Sequence, residues 1–213
     1  MNANWRSIII LSLLFCLAWP PSLFSEQLPQ DKVQHIIDTS TITRVQRPLA
    51  VRADRKTLEY FIDHVEELTK HGRDFNRKEL ILKARGNGRY RVQMPLKHIT
   101  GEFELVERQP GRAVYLGHGS AATFFHFSGA IVLVIDHTAE KDDTGGYEEV
   151  KTSVHVKFDN ELFALLAKIA SPILAPKLDK LVTKFSTKIK KVVETAYANR
   201  KNTKCPQSGG DKQ

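Results

Sequence analysis

From Asn160 to about Tyr197 the chain carries apolar side chains three and four residues apart: Leu162, Leu165, Leu166, Ile169, Ile173, Leu178, Leu181, Val182, Phe185, Ile189, Val192, Val193 and Ala196. Held for about ten turns, that spacing predicts one long amphipathic helix. Pro172 and Pro176 interrupt it. A proline inside a helix removes a hydrogen bond and clashes with the preceding turn, so a kink or two abutting helices is expected there. A stripe of this length has to be buried against something, and the rest of the chain must supply the surface.

The charge excess lies in the same segment. Residues 160–213 hold 11 basic and 4 acidic side chains, residues 26–159 hold 20 of each, and Arg6 carries the remaining positive charge. On a helical wheel Lys177, Lys180, Lys184, Lys188 and Lys191 share an arc of about 80° beside the apolar stripe. A solvated helix face explains this arrangement. The alternative is docking on an anionic membrane surface, where each lysine near the headgroups contributes about 1 kcal/mol. Beyond Asn199 the residues 199–213 offer nothing to bury and are expected to form a disordered polar tail.

The other end reads as a leader. Arg6, an apolar run from Ile8 to Ala18, and a Pro20-Pro21 break before Ser25 follow the order of a secretory signal peptide over residues 1–25. The run is short of the roughly 20 apolar residues that span a bilayer. Cleavage after Ser25 is therefore expected, with an uncleaved anchor through residues 8–18 as the alternative, and the protein is expected to be exported, either periplasmic or secreted. Cys16 lies in the leader and Cys205 in the tail, so the mature chain has one thiol and its fold must rest on a core. Its length and 41% apolar content suit one globular domain.

Residues 26–40 form a polar lead-in with one apolar cluster, Val33, Ile36 and Ile37, which suits a short helix or an extended arm. Thr41 to Arg52 is rich in β-branched residues and reads as a strand interrupted at Pro48. Asp54 then suits an N-cap, and Leu58, Phe61, Ile62, Val65 and Leu68 recur at helical spacing until His71-Gly72. Lys78–Arg85 and Arg89–Met94 flank Gly86-Asn87-Gly88, a hairpin signal. Thr100–Glu107 and Ala113–Ser120 flank a second turn at Gln109-Pro110-Gly111. Thr123–Thr138 is apolar on both parities, as in a strand covered on both faces, and Tyr147–Lys157 alternates cleanly.

The segment from Pro48 through Ala50-Val51-Arg52-Ala53-Asp54 to Tyr60-Phe61-Ile62-Asp63-His64 resembles the opening of the START-like, or polyketide cyclase and lipid-transport (SRPBCC), superfamily. There a first strand ends in an apolar-x-Ala step before a helix that packs on the sheet. The element order over Thr41–Tyr197 is similar too. The resemblance implies an α+β helix-grip fold over residues 41–198. In it a curved antiparallel sheet of about six to seven strands grips a long, proline-kinked C-terminal helix. It also implies an apolar cavity between sheet and helix for a lipid-like or other hydrophobic small molecule. Carried over, the wall draws on Phe103, Leu105, Tyr115, Phe125 and Phe127 from strands and Leu166, Ile169 and Ile173 from the helix. Taken singly these residues suit a solid core equally well, and a fold does not by itself fix a function.

Other chemistry is thinly represented. The eight histidines lack metal-ligand spacing and no cysteine pair exists, so no metal site and no cofactor are expected. His126 alternates with Phe124 and Ser128 in the doubly covered strand, which would bury it enough to orient a ligand or act as a base. Neither a Gly-x-Ser-x-Gly elbow nor a phosphate loop occurs, so no catalytic residue is assigned. The basic residues are not interleaved with aromatics, which disfavours a nucleic-acid partner. A binding protein for a hydrophobic or amphipathic ligand is the first expectation. A cyclase, dehydratase or hydrolase using His126 with Tyr115, and a structural envelope protein with a protein partner, are the alternatives.

Overall fold

The turn signals resolve into a single antiparallel sheet. The computed structural model describes residues 29–71, 75, 79–122 and 126–204, and within the last helix the backbone alone at 169–175, 177, 178 and 202–204. The leader (1–25) and residues 205–213 of the tail lie outside the described residues. Eight strands follow in order: β1 (Ile42–Val45), β2 (Leu49–Val51), β3 (Ile81–Gly86), β4 (Arg89–Met94), β5 (Ile99–Gln109), β6 (Arg112–Ala122), β7 (His126–Asp142) and β8 (Gly145–Phe158). Neighbours across the curved sheet run β1-β8-β7-β6-β5-β4-β3, with β2 also on β8.

The strand count exceeds the expected six to seven because the first strand is two. Ile42 pairs with Val156 and Leu49 with Val150, both on β8. Between them residues 46–48 belong to neither strand: the Gln46 amide still donates to the Thr152 carbonyl at 2.8 Å, and Pro48 has no N–H to donate. The Gly86-Asn87-Gly88 turn takes positive φ at all three residues, +83°, +51° and +70°, which glycine and asparagine tolerate best. The β7–β8 hairpin pairs from Gly129 with Phe158 out to Asp142 with Gly145, longer at its tip than the alternation predicts.

Among the described residues four α-helices accompany the sheet: α1 (Pro29–Asp38), α2 (Arg55–Asp63), α3 (Glu67–His71) and α4 (Glu161–Lys204). The lead-in segment is α1, whose Val33 and Ile36 bury against Val114, Val132 and Val134. The even positions of β7 thus find the cover that its two-sided apolar pattern demands. The opposite face carries the main core, where Leu58, Phe61, Ile62 and Leu68 meet Tyr90, Tyr115, Val192 and Val193.

The helix expected from Asp54 to His71 breaks after Asp63. Asp54 caps its start, accepting from the Thr57 amide at 2.8 Å. At its end the Tyr115 hydroxyl donates to the Ile62 carbonyl and the Tyr90 hydroxyl to the Asp63 carbonyl. Two phenols from the sheet thereby satisfy carbonyls that a helix terminus leaves without partners. The last helix continues through Pro172 and Pro176 as one element rather than as two abutting helices, and it runs past Asn199 to Lys204. Arg200 pairs with Asp54 at 2.5 Å.

Candidate functional site

Between the sheet and the second half of α4 lies a cavity of about 420 Å³. Its sheet wall is built by one parity of successive strands: Val92, Phe103, Tyr115, Ile131, Leu133, Ile135, Val150 and Val154. One parity suffices because side chains alternate between faces along a strand. The roof is the apolar stripe of α4 from Leu181 to Val193, chiefly Val182, Phe185 and Ile189. Leu58, Phe61 and Ile62 of α2 and Leu68 of α3 close one end. The volume falls within the roughly 300–1,000 Å³ of small-molecule pockets.

Its two tyrosines already have partners. Burial pushes the Tyr115 phenol well above its ordinary pKa, so the hydroxyl remains a donor to the Ile62 carbonyl. Tyr90 is raised by burial first and then by Glu66 and Asp63, with the same outcome. The other polar lining residues sit on the side facing β1 and β2. Gln46, Thr152, Ser186 and Lys190 line the cavity there, with the Ser186 hydroxyl donating to the Gln46 amide oxygen at 2.7 Å.

The wall residues expected from sequence divide. Phe103 and Tyr115 line the cavity. Leu105 packs on the core cluster beside them without lining it, at a register shift between Leu105 and Glu107. Phe127 sits farther along β7, edge-on to the Phe158 ring at 5.7 Å, outside the cavity. Leu166 is 50% exposed and not a wall residue, because the part of α4 that lines the cavity begins at Leu181. Phe125 and the side chains of Ile169 and Ile173 lie outside the described residues.

His126 is exposed at the first position of β7, not enclosed as its alternation suggests. It also cannot work with Tyr115. His126 is opposite Ala122 while Tyr115 is opposite Leu133, a separation of roughly 20 Å at about 3.3 Å per residue. The buried histidine is His137, whose Nδ1 lies 2.8 Å from the Glu148 carboxylate, itself buried. His137 Nε2 faces Glu59 at 3.7 Å. This cluster ties β7 and β8 to α2, and His137 does not line the cavity.

The lysine stripe is partly spoken for. Lys184 and Lys188 both reach Glu79, at 3.1 and 2.8 Å. Lys188 then Lys184 hold the Glu79 carboxyl below its usual range. Lys188 also lies over the Phe75 ring, which stacks on Phe185. Lys180 and Lys191 are exposed, and the Lys177 side chain lies outside the described residues. Sequence reasoning missed Ser186 and Lys190. Their signal was present, since both follow Val182 at steps of four and so place a small polar and a charged group along the border of the apolar stripe.

No protein-family model matches the chain, and no curated protein matches it. Solved structures do. A conserved protein from Geobacillus kaustophilus is 14% identical with a TM-score of 0.54, over 73% of this chain and 97% of that one. The di-domain ARO/CYC BexL is 12% identical with a TM-score of 0.43, over 77% of this chain and 53% of that one. The major latex-like protein 151 of Panax ginseng is 9% identical with a TM-score of 0.42, over 73% and 97%. At these identities the likeness concerns the fold, and the Geobacillus protein supplies it: the sheet wrapped around a C-terminal helix has a solved counterpart along nearly that protein's full length.

Proposed function

We propose that this chain is a START-like binding protein for a hydrophobic or amphipathic small molecule, held between the sheet and the Leu181–Val193 stretch of α4. The observation that carries the reading is the apolar cavity in which both tyrosine hydroxyls are already bonded to backbone carbonyls. Such a site offers an apolar ligand removal from water, at about 25 cal/mol per Å² of apolar surface, and polar groups only on the side of Gln46 and Lys190. The test is a fluorescence titration with the neutral dye Nile red. Saturable uptake is expected, together with its loss in Leu133→Trp, whose larger side chain projects into the space. A wild-type protein that takes up no dye sinks the reading.

Export rests on the leader, and membrane docking is a second part of the same proposal. With Lys184 and Lys188 engaged by Glu79, the contact is better carried by the exposed Leu162, Leu165 and Leu166, with Lys168 one turn on from Leu165. Leucines beside a lysine suit the boundary of an anionic bilayer. Flotation with vesicles rich in phosphatidylglycerol is expected to carry the wild type and to leave Leu165→Asp behind. Equal flotation of both, or binding to neutral and anionic vesicles alike, returns this face to ordinary surface.

A further inference from the structure

The roof helix meets the β1–β2 edge along a polar seam. Asp179 faces Arg44 at 3.4 Å, Ser186 donates to Gln46 at 2.7 Å, Lys190 donates to the Ala50 carbonyl, and Glu194 accepts from the Arg52 amide at 2.7 Å. Gln46, Ser186 and Lys190 belong to the cavity lining as well as to the seam. Lys190 is the one charged side chain lining the cavity among the described residues.

We infer that the cavity takes an amphiphile with a single carboxylate head, seated at Lys190, Ser186 and Gln46, and an apolar tail running under Phe185 and Ile189. The inference deepens the proposed binding function and rests on it. A wholly apolar occupant would leave the N–H of the Lys190 ammonium that has no protein acceptor without a partner, which is costly. A carboxylate offsets that loss with a charge-assisted hydrogen bond. The ammonium has three N–H donors. The Ala50 carbonyl and the Glu194 carboxylate, 3.1 Å away, take two of them. Glu194 is the acidic group that faces this head. Its carboxylate is shared with the Arg52 amide and lies outside the cavity lining, so it balances Lys190 in the empty protein without filling the site. The Gln46 side-chain NH2, whose oxygen is held by the Ser186 hydroxyl, adds donors on the same side, a set that suits an acceptor head over an ammonium one.

The experiment is displacement of bound Nile red from the full chain by hexadecanoate, hexadecan-1-ol and hexadecylamine, which share a chain length and differ in the head. Hexadecanoate is expected to displace the dye at a concentration about tenfold lower than the alcohol, with the amine weakest. Lys190→Met is expected to lose the preference for the acid and Lys190→Arg to keep it, each read as the ratio of acid to alcohol displacement within the same variant. Equal displacement by acid and alcohol in the wild type overturns the inference without any variant, as does a preference that survives in folded Lys190→Met. A wild type that takes up no Nile red overturns the binding function and this inference together, whereas uptake without a preference for the acid overturns this inference alone.

Discussion

Leu165 and Val193 both belong to the apolar stripe of α4, yet the first is 56% exposed and the second fully buried. The sequence pattern is the same in both halves of the helix. The surroundings are not: from Leu181 onward the helix has the sheet below it, α2 and α3 beside it, and polar contacts along both flanks, to Glu79 on one side and to the β1–β2 edge on the other. Periodicity therefore states a capacity for burial. The supply of partner surface decides where that capacity is used, and the half that is covered is also the half that roofs the cavity.

The comparison is broken most severely by charge in the covered half. Val193→Asp places an unpaired carboxylate in the core and is expected to cost more than about 4 kcal/mol, read as a collapse of the urea midpoint. A mild effect there would mean that the second half is less covered than the structure shows. Next comes the tether at the far end of that half. Asp54 caps α2 and pairs with Arg200, and Asp54→Ala is expected to cost about 1 kcal/mol by urea denaturation at neutral pH. Burial alone would raise the Asp54 pKa, but the Thr57 hydroxyl and amide and then Arg200 outweigh it, leaving the carboxyl below its ordinary 3.8. With the folded value depressed, its stabilisation is complete above that ordinary value and is lost as pH falls through the folded one. Asp54→Asn is expected to flatten the acid limb of the stability curve, and an unchanged limb counts against the pairing.

The exposed leucines at the start of α4 should respond little. Leu165→Asp is expected to shift stability by no more than about 0.5 kcal/mol, as at an ordinary surface site. A loss as large as that of Val193→Asp would show that a partner surface covers the first half after all. The smallest effect belongs to the flank. Glu79→Gln releases Lys184 and Lys188, and the melting temperature should fall slightly at low salt and match wild type at high salt. A fall that persists in high salt would assign Glu79 a packing role.

Much of the fold was legible because it rests on local signals. The Gly86-Asn87-Gly88 hairpin needs residues that accept positive φ, and the two-sided apolar run of β7 needs two covers. Both appear as expected. The break after Asp63 was not legible, since it depends on Tyr90 and Tyr115 reaching carbonyls 27 and 53 residues away in sequence. For the same reason the burial of His137 was not legible. Alternation singles out neither histidine in a strand apolar on both parities, and the meeting of His137 with Glu148 across β7 and β8, under α2, buries it while His126 stays exposed. At the cavity, Phe103 and Tyr115, which the family resemblance implied as wall residues, line it, whereas Leu166 does not, because period fixes a face without fixing how far along the helix the sheet extends.

Native mass spectrometry of the protein mixed with Nile red tests the central claim most directly. A single saturable adduct of one dye per chain is predicted for the wild type, absent in Leu133→Trp. Wild-type protein that stays at its unliganded mass through the titration, or that binds several dyes without saturation and equally in Leu133→Trp, would contradict a ligand cavity beneath the covered half of α4.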